Sequence, residues 1–180
     1  MRNPSPTFLE EHADTLAFVG IAGAVFMLLQ AVYFLWLVDS RLFSEYLFFL
    51  ADMAAVILRT GGEDVFAHGT ILKTTGDEEF IRVTEGCDAI RIFSVLVAVI
   101  AAYDASVRSK VIGALLGVSL LFAANLLRIA MLLWLEMNLE QYFDLFHHTL
   151  LPGALWVLTM IYFAAWIIFG ARPLSSAPAE

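Results

Sequence analysis

Long apolar stretches alternate with short polar segments along the chain. The first stretch, residues 15–38, carries no charged side chain and is long enough to cross a hydrocarbon core of about 30 Å as a helix. Four comparable stretches follow it. The pattern predicts transmembrane helices over residues 15–38, 42–59, 87–103, 111–135 and 149–170. We therefore expect an all-α membrane protein, a single multi-pass domain over residues 1–180 with about five transmembrane helices.

The second stretch is the least apolar because it contains Glu45 and Asp52. A charged side chain within a membrane helix is costly and usually faces the interior of the bundle, so we expect both acids to point inward. An interfacial helix is the alternative for this segment.

The sizeable polar segment, residues 60–86, precedes the third predicted span. Two short runs of β-type residues, 65–73 and 79–84, flank the turn residues around Gly76. This pattern predicts a two-stranded hairpin with its turn at Gly76. We expect the hairpin to lie against the bundle or the lipid surface, because an isolated hairpin is only marginally stable in water.

The composition agrees with a membrane location and excludes one class of partner. Of the 180 residues, 61% are hydrophobic and 16% are charged, and the formal net charge is −8. A soluble domain carries about 25% charged residues. Nucleic acid is an unsuitable partner because the chain has no basic excess to neutralise phosphates.

Short loops rich in Lys and Arg tend to remain in the cytoplasm. This tendency places 104–110, Arg41 and Arg172 inside, and segments 60–86 and 136–148 outside, in a protein of the cell membrane. The predicted spans also bring Cys87, the near end of the Arg128 helix, His147 and His148 to one membrane face, whichever way the protein is oriented. We expect that face to be extracytoplasmic.

Cys87 is the only cysteine in the chain, so it cannot form an internal disulfide. It is expected at the amino-terminal end of the third helix, where free N–H groups and the helix dipole favour a thiolate. Arg91 and Arg128 would favour the thiolate too, whereas Asp88 and Glu85 would oppose it. A buried packing residue is the alternative reading.

Arg128 and the histidines complete a candidate site. Arg128 is expected about 10 Å below the end of its helix, too deep for an ordinary flanking arginine. It could stabilise an oxyanion or hold a substrate carbonyl, with a histidine as general acid and base, or instead pair structurally with Glu45 or Asp52. Because adjacent helical residues point about 100° apart, His147 and His148 cannot both face one site. The histidines show no metal-ligand spacing, so we predict no metal site and no cofactor.

Two elements together resemble the exosortase/archaeosortase family, in particular its short exosortase H-type members. They are Glu-Gly-Cys-Asp-Ala-Ile at 85–90 and Ala-Asn-Leu-Leu-Arg-Ile at 124–129, with a histidine ahead of the last span. The resemblance covers residues 71–168. It implies that Cys87 is the nucleophile, Arg128 the essential arginine, His147 or His148 the histidine, and Asn125 a supporting residue.

The resemblance also implies an activity. Such a protein would be a membrane-embedded cysteine protease or transpeptidase that cleaves carboxy-terminal sorting signals of the PEP-CTERM type on exported proteins, through a thioester intermediate. The signal comprises a short motif, a transmembrane helix and a basic tail. The new carboxyl end would go to water or to an acceptor such as a lipid or a glycan.

This chain departs from the family pattern directly after the cysteine. Family members commonly carry a small polar residue and then glycine, where this chain has Asp88 and Ala89. Two other functions compete with the enzyme: a non-enzymatic membrane scaffold subunit, and a small transporter with a polar pathway through Asp52, Asn125 and Arg128.

Overall fold

The computed structural model describes residues 12–74 and 79–171, except for the side chains of residues 79–81. The helices confirm the all-α expectation. Helix α1 covers Ala13–Val32 and continues as a π-helical turn over Tyr33–Leu37. Helices α2 (Arg41–Thr60), α3 (Ile90–Ala102), α4 (Val107–Asn138) and α5 (Leu151–Phe169) follow. Short helical turns over Glu140–Tyr142, Phe143–Leu145 and Phe146–Leu150 lead into α5.

Three helical segments are long and apolar enough to span a membrane: Ala13–Leu37, Val107–Asn138 and Glu140–Phe169. Helix α3 is apolar but shorter. Helix α2 is amphipathic, with a buried face of Phe43, Leu47, Leu50 and small alanines. The expectation that its acids face the interior is wrong: Glu45 and Asp52 are both exposed, and Glu45 pairs with Arg41 at 3.1 Å.

The polar segment forms a three-stranded antiparallel sheet, not the predicted two-stranded hairpin. Strands β1 (Val65–His68) and β2 (Ile71–Thr74) pair across a two-residue turn, and β3 (Glu79–Arg82) pairs with β2. Gly69 opens the first turn at φ +64°, where a type II′ turn favours glycine. The run 65–73 was thus two strands with a Gly-Thr turn between them, and the turn predicted at Gly76 lies outside the described residues.

Two hydrophobic cores hold these elements together. One joins α2, the inner side of the sheet and α4, through side chains such as Leu50, Leu72 and Leu133, and it includes Cys87. The other joins α3, α4 and α5 through Leu96, Leu121 and Trp166. Helix α4 contributes to both cores and is therefore the central element of the bundle.

Close packing of α4 on α5 depends on Gly113 and Gly117. A Cβ at Gly113 would overlap the indole of Trp166, and one at Gly117 would overlap Tyr162 and Leu96. The Tyr162 hydroxyl donates to the Gly113 carbonyl at 2.5 Å, and Trp166 Nε1 donates to the Ser109 carbonyl at 3.3 Å. Small residues thus let the aromatic side chains of α5 reach the backbone of α4.

We predict that Gly113→Ala lowers the thermal midpoint of the protein in detergent, by the equivalent of about 1–3 kcal/mol, because the added methyl group overpacks the α4–α5 contact. Gly20→Ala in α1 is the matched control, since nothing lies within 4 Å of a Cβ there. Equal midpoints for the two variants would contradict this packing.

Candidate active site

The sequence predicts Cys87 in the first turn of α3, but the structure places it before that helix. It ends a short 3-10 turn, Glu85–Cys87, three residues before α3 begins at Ile90. Its backbone N–H donates to the Thr84 carbonyl at 2.8 Å, and the residue is 8% exposed. Cys87 therefore lies outside the first turn of α3, where the field of a helix mainly acts.

The backbone turn after the cysteine has a conformation that favours glycine. Ala89 has φ +58° and ψ 6°, and among the described residues it is the sole non-glycine with positive φ. Left-handed backbone costs an L-residue roughly 1–2 kcal/mol. Alanine at this position is strained where glycine would not be.

Asp88 fastens the strained turn to α1 and α2. Its Oδ2 accepts a hydrogen bond from the Tyr33 hydroxyl at 2.6 Å, and Oδ1 accepts from the Ile90 N–H at 3.0 Å. The Tyr46 hydroxyl donates to the Asp88 carbonyl at 2.8 Å. Burial raises the pKa of this carboxyl, which precedes α3, although the bonds from Tyr33 and Ile90 act in the opposite direction. Asp88 therefore holds the cysteine loop in place.

Asn125 and Arg128 hold the loop from the other side. Asn125 is fully buried in α4, and its Nδ2 donates to the Cys87 carbonyl at 2.7 Å. Arg128 Nη1 donates to Asn125 Oδ1 at 3.3 Å. Since α4 runs on to Asn138, Arg128 lies about 15 Å from the helix end, deeper than the sequence suggested. The alternative reading, in which Arg128 pairs with Glu45 or Asp52, does not hold. Both acids are exposed, and Arg128 bonds to Asn125 instead.

One cavity brings the thiol together with a histidine. This space of about 210 Å³, here the thiol cavity, is lined by Cys87, His147, Arg82, Thr84 and Phe143, with Ile129 and Leu132 of α4. The His147 ring stacks on Phe143 with centroids 5.2 Å apart and is half-buried, whereas His148 is exposed. Of the two histidines, His147 is the one that faces the thiol cavity.

A second cavity lies on the other side of the cysteine loop. This space of about 220 Å³, here the arginine cavity, is lined by Arg128, Arg91, Gln30, Glu85 and Trp156, together with Tyr33, Gly86, Asp88, Ala89, Ile92, Pro152 and Leu155. Arg128 and Arg91 thus line this space, and the cysteine loop separates it from the thiol cavity.

Four residues in or around the site were not identified from sequence: Gln30, Tyr33, Tyr46 and Arg82. Gln30 could have been noticed as a polar residue within the uncharged first stretch, because an amide in a membrane helix needs a hydrogen-bond partner. No pattern pointed to Arg82, the last residue of β3, which reaches the thiol cavity through the sheet.

We predict that Ala89→Gly raises the free energy of unfolding by about 1 kcal/mol, because glycine adopts positive φ without strain. The same substitution at Ala98, buried in the middle of α3, should lower it by about 1 kcal/mol. Thermal unfolding in detergent measures both, and destabilisation by Ala89→Gly would argue against the left-handed turn.

We further predict that Asn125→Asp destabilises the protein by about 1–3 kcal/mol, since aspartate still accepts from Arg128 but cannot donate to the Cys87 carbonyl. Asn138→Asp is the control: Asn138 lies in the same helix and donates to the Trp134 carbonyl at 3.0 Å, but it is exposed. If the two variants unfold at the same temperature, the buried bond contributes nothing.

Comparison with known proteins identifies a family. The family model described as transmembrane exosortase (Exosortase_EpsH) matches residues 15–167, from the start of α1 nearly to the end of α5. No curated protein and no solved structure matches the chain.

Proposed function

The chain belongs to the transmembrane exosortase family, and from this premise we propose that it cleaves the carboxy-terminal sorting signals of exported proteins with Cys87 as nucleophile. The family supports a membrane-embedded sorting transpeptidase in general. The single observation that carries the proposal to particular residues is the cavity shared by Cys87 and His147.

The reaction begins with attack of the Cys87 thiolate on the carbonyl carbon of the scissile peptide bond. A C–S bond forms, the C–N bond breaks, and the leaving amine takes a proton from His147 acting as general acid. The products of this half are a thioester on Cys87 and the released transmembrane helix with its basic tail.

The second half resolves the thioester. Water, or a hydroxyl or amine of an acceptor such as a lipid or glycan, gives its proton to His147 and attacks the carbonyl carbon. The thiolate leaves, and the enzyme returns to its starting state. Hydrolysis and transfer differ only in this attacking group.

Arg82 and Arg128 have separate roles in this proposal. Arg82 lines the thiol cavity and supplies positive charge beside the thiolate and the developing oxyanion. Arg128 acts through Asn125 on the Cys87 carbonyl, and it binds substrate on the other side of the loop. The site faces the extracytoplasmic side of the cell membrane, where exported substrates arrive.

The test uses a reporter fused to the motif, transmembrane helix and basic tail of an exported protein from the same genome. We predict that Cys87→Ala and Cys87→Ser leave the reporter uncleaved while the enzyme still accumulates in the membrane, because no thioester can form. Immunoblotting of reporter and enzyme measures both. Processing of the reporter by Cys87→Ala would exclude a thiol mechanism, and a scaffold subunit would tolerate Cys87→Ser.

The two adjacent histidines provide a matched pair. We predict that His147→Ala lowers the cleavage rate by about 10²–10⁴-fold, the usual contribution of a general acid–base, and that His148→Ala changes it by less than about threefold. Cleavage time courses at equal enzyme abundance measure the difference. The reverse order of effects would assign the role to His148.

A further inference from the structure

The arginine cavity contains two buried hydrogen-bond donors without a partner. Gln30 and Arg128 are 9% and 8% exposed, and both line this space. Among the described residues, the side-chain nitrogens Gln30 Nε2 and Arg128 Nε are buried and bond to nothing. A buried donor without a partner is unfavourable, so two such donors at one cavity point to a ligand.

The chemistry of the cavity defines that ligand. An amide nitrogen and a guanidinium nitrogen both donate, so the ligand must supply acceptor oxygens, and the charge of Arg128 strengthens the bond. Asp88 also lines the cavity, but its two oxygens accept from Tyr33 and Ile90, and neither Gln30 Nε2 nor Arg128 Nε bonds to it.

The charged residues on the wall of the arginine cavity are compatible with an acceptor oxygen as ligand. Arg91 and Glu85 are exposed residues on its wall, one of each sign, and therefore largely offset each other. Arg128 and Asp88 are the buried basic and acidic residues of the wall. The carboxyl of Asp88 bonds to Tyr33 and Ile90, whereas the Arg128 guanidinium bonds to the neutral amide of Asn125 and forms no salt bridge within the described part of the chain. The positive charge of Arg128 is thus available to a ligand.

The position of the cavity suits a peptide that enters from the bilayer. Helices α1 and α5 both pack against α3, and the cavity lies between Gln30 and Tyr33 of α1 and Pro152 and Trp156 of α5. Large apolar side chains on the outer faces of these two helices are exposed, among them Met27, Phe34 and Val157. A substrate whose transmembrane helix lies in lipid here would bring the polar residues before that helix to the cavity.

We propose that Gln30 and Arg128 bind an acceptor oxygen of the sorting-signal peptide, a carboxylate or a main-chain carbonyl, and that Gln30 is a specificity-determining residue. This inference rests on the proposed function, since it names the part of the enzyme that holds the substrate while Cys87 attacks. The arginine cavity is the peptide subsite, and the thiol cavity is where bonds change.

The test separates binding from cleavage and from folding. The reporter is captured from detergent extract on immobilised Cys87→Ala protein, with and without Gln30→Met. We expect Gln30→Met to lower capture at least tenfold, to lower the cleavage rate of the enzyme with intact Cys87 through a raised KM, and to leave the thermal midpoint unchanged or higher, because it removes an unpaired buried donor. Gln141→Met, at an exposed glutamine, is the control and should capture normally.

A second variant keeps the inference falsifiable if Gln30→Met fails to fold. Gln30→Glu preserves the side-chain shape but replaces the donor with an acceptor, and it should also lose capture. Undiminished capture by a folded Gln30 variant, with the reporter still cleaved by the unmodified enzyme, overturns the subsite and leaves the proposed function standing. A reporter that the unmodified enzyme does not cleave contradicts the proposed function itself.

Variants of the reporter show whether the bound oxygen belongs to a side-chain carboxylate or to a main-chain carbonyl. Replacing the acidic side chains of its motif with their amides should abolish Gln30-dependent capture if a carboxylate is bound. Capture should persist and still depend on Gln30 if a main-chain carbonyl is bound.

Discussion

The hydrogen bond from Asn125 to the Cys87 carbonyl is the contact on which the site depends. A peptide carbonyl buried among apolar helices needs a donor, and Asn125 supplies it at 2.7 Å from the central helix α4. The same amide accepts from Arg128 through its oxygen. One buried side chain thereby connects the cysteine loop and the deep arginine to a single helix.

Helices α1 and α2 also hold the cysteine loop. Two tyrosine hydroxyls, from α1 and α2, bond to Asp88, one to its carboxylate and one to its carbonyl. These bonds help to offset the strain of Ala89 in the left-handed region. The acid beside the thiol, which by charge alone would disfavour a thiolate, acts in this structure as the residue that positions it.

The polar groups of the candidate site are distributed between two cavities. The thiol shares its cavity with an aromatic-stacked histidine and an arginine from the sheet, whereas the deep arginine and an unpaired amide occupy the other. Under the proposed function, the cysteine loop between the two spaces contacts the peptide on one side and reacts with it on the other. The sheet belongs to this arrangement because Arg82 ends its last strand.

The amino-acid sequence alone predicts the helical membrane architecture, because long uncharged stretches are stable in a bilayer only as helices. It also identified Cys87, Asn125 and Arg128, whose residue types are uncommon within apolar stretches and whose spacing resembles a family. It mistook one run for a single strand, although Gly69-Thr70 carried the turn signal, and it placed Glu45 and Asp52 on the wrong side of α2. Only the packing of the helices brings His147 to the cavity that Cys87 lines, joins Arg128 to Asn125, and places Gln30 beside Arg128 at a second cavity. Such relations depend on how helices rotate and pack against one another, through contacts such as Gly113 on Trp166, and periodicity within one helix cannot specify its neighbour.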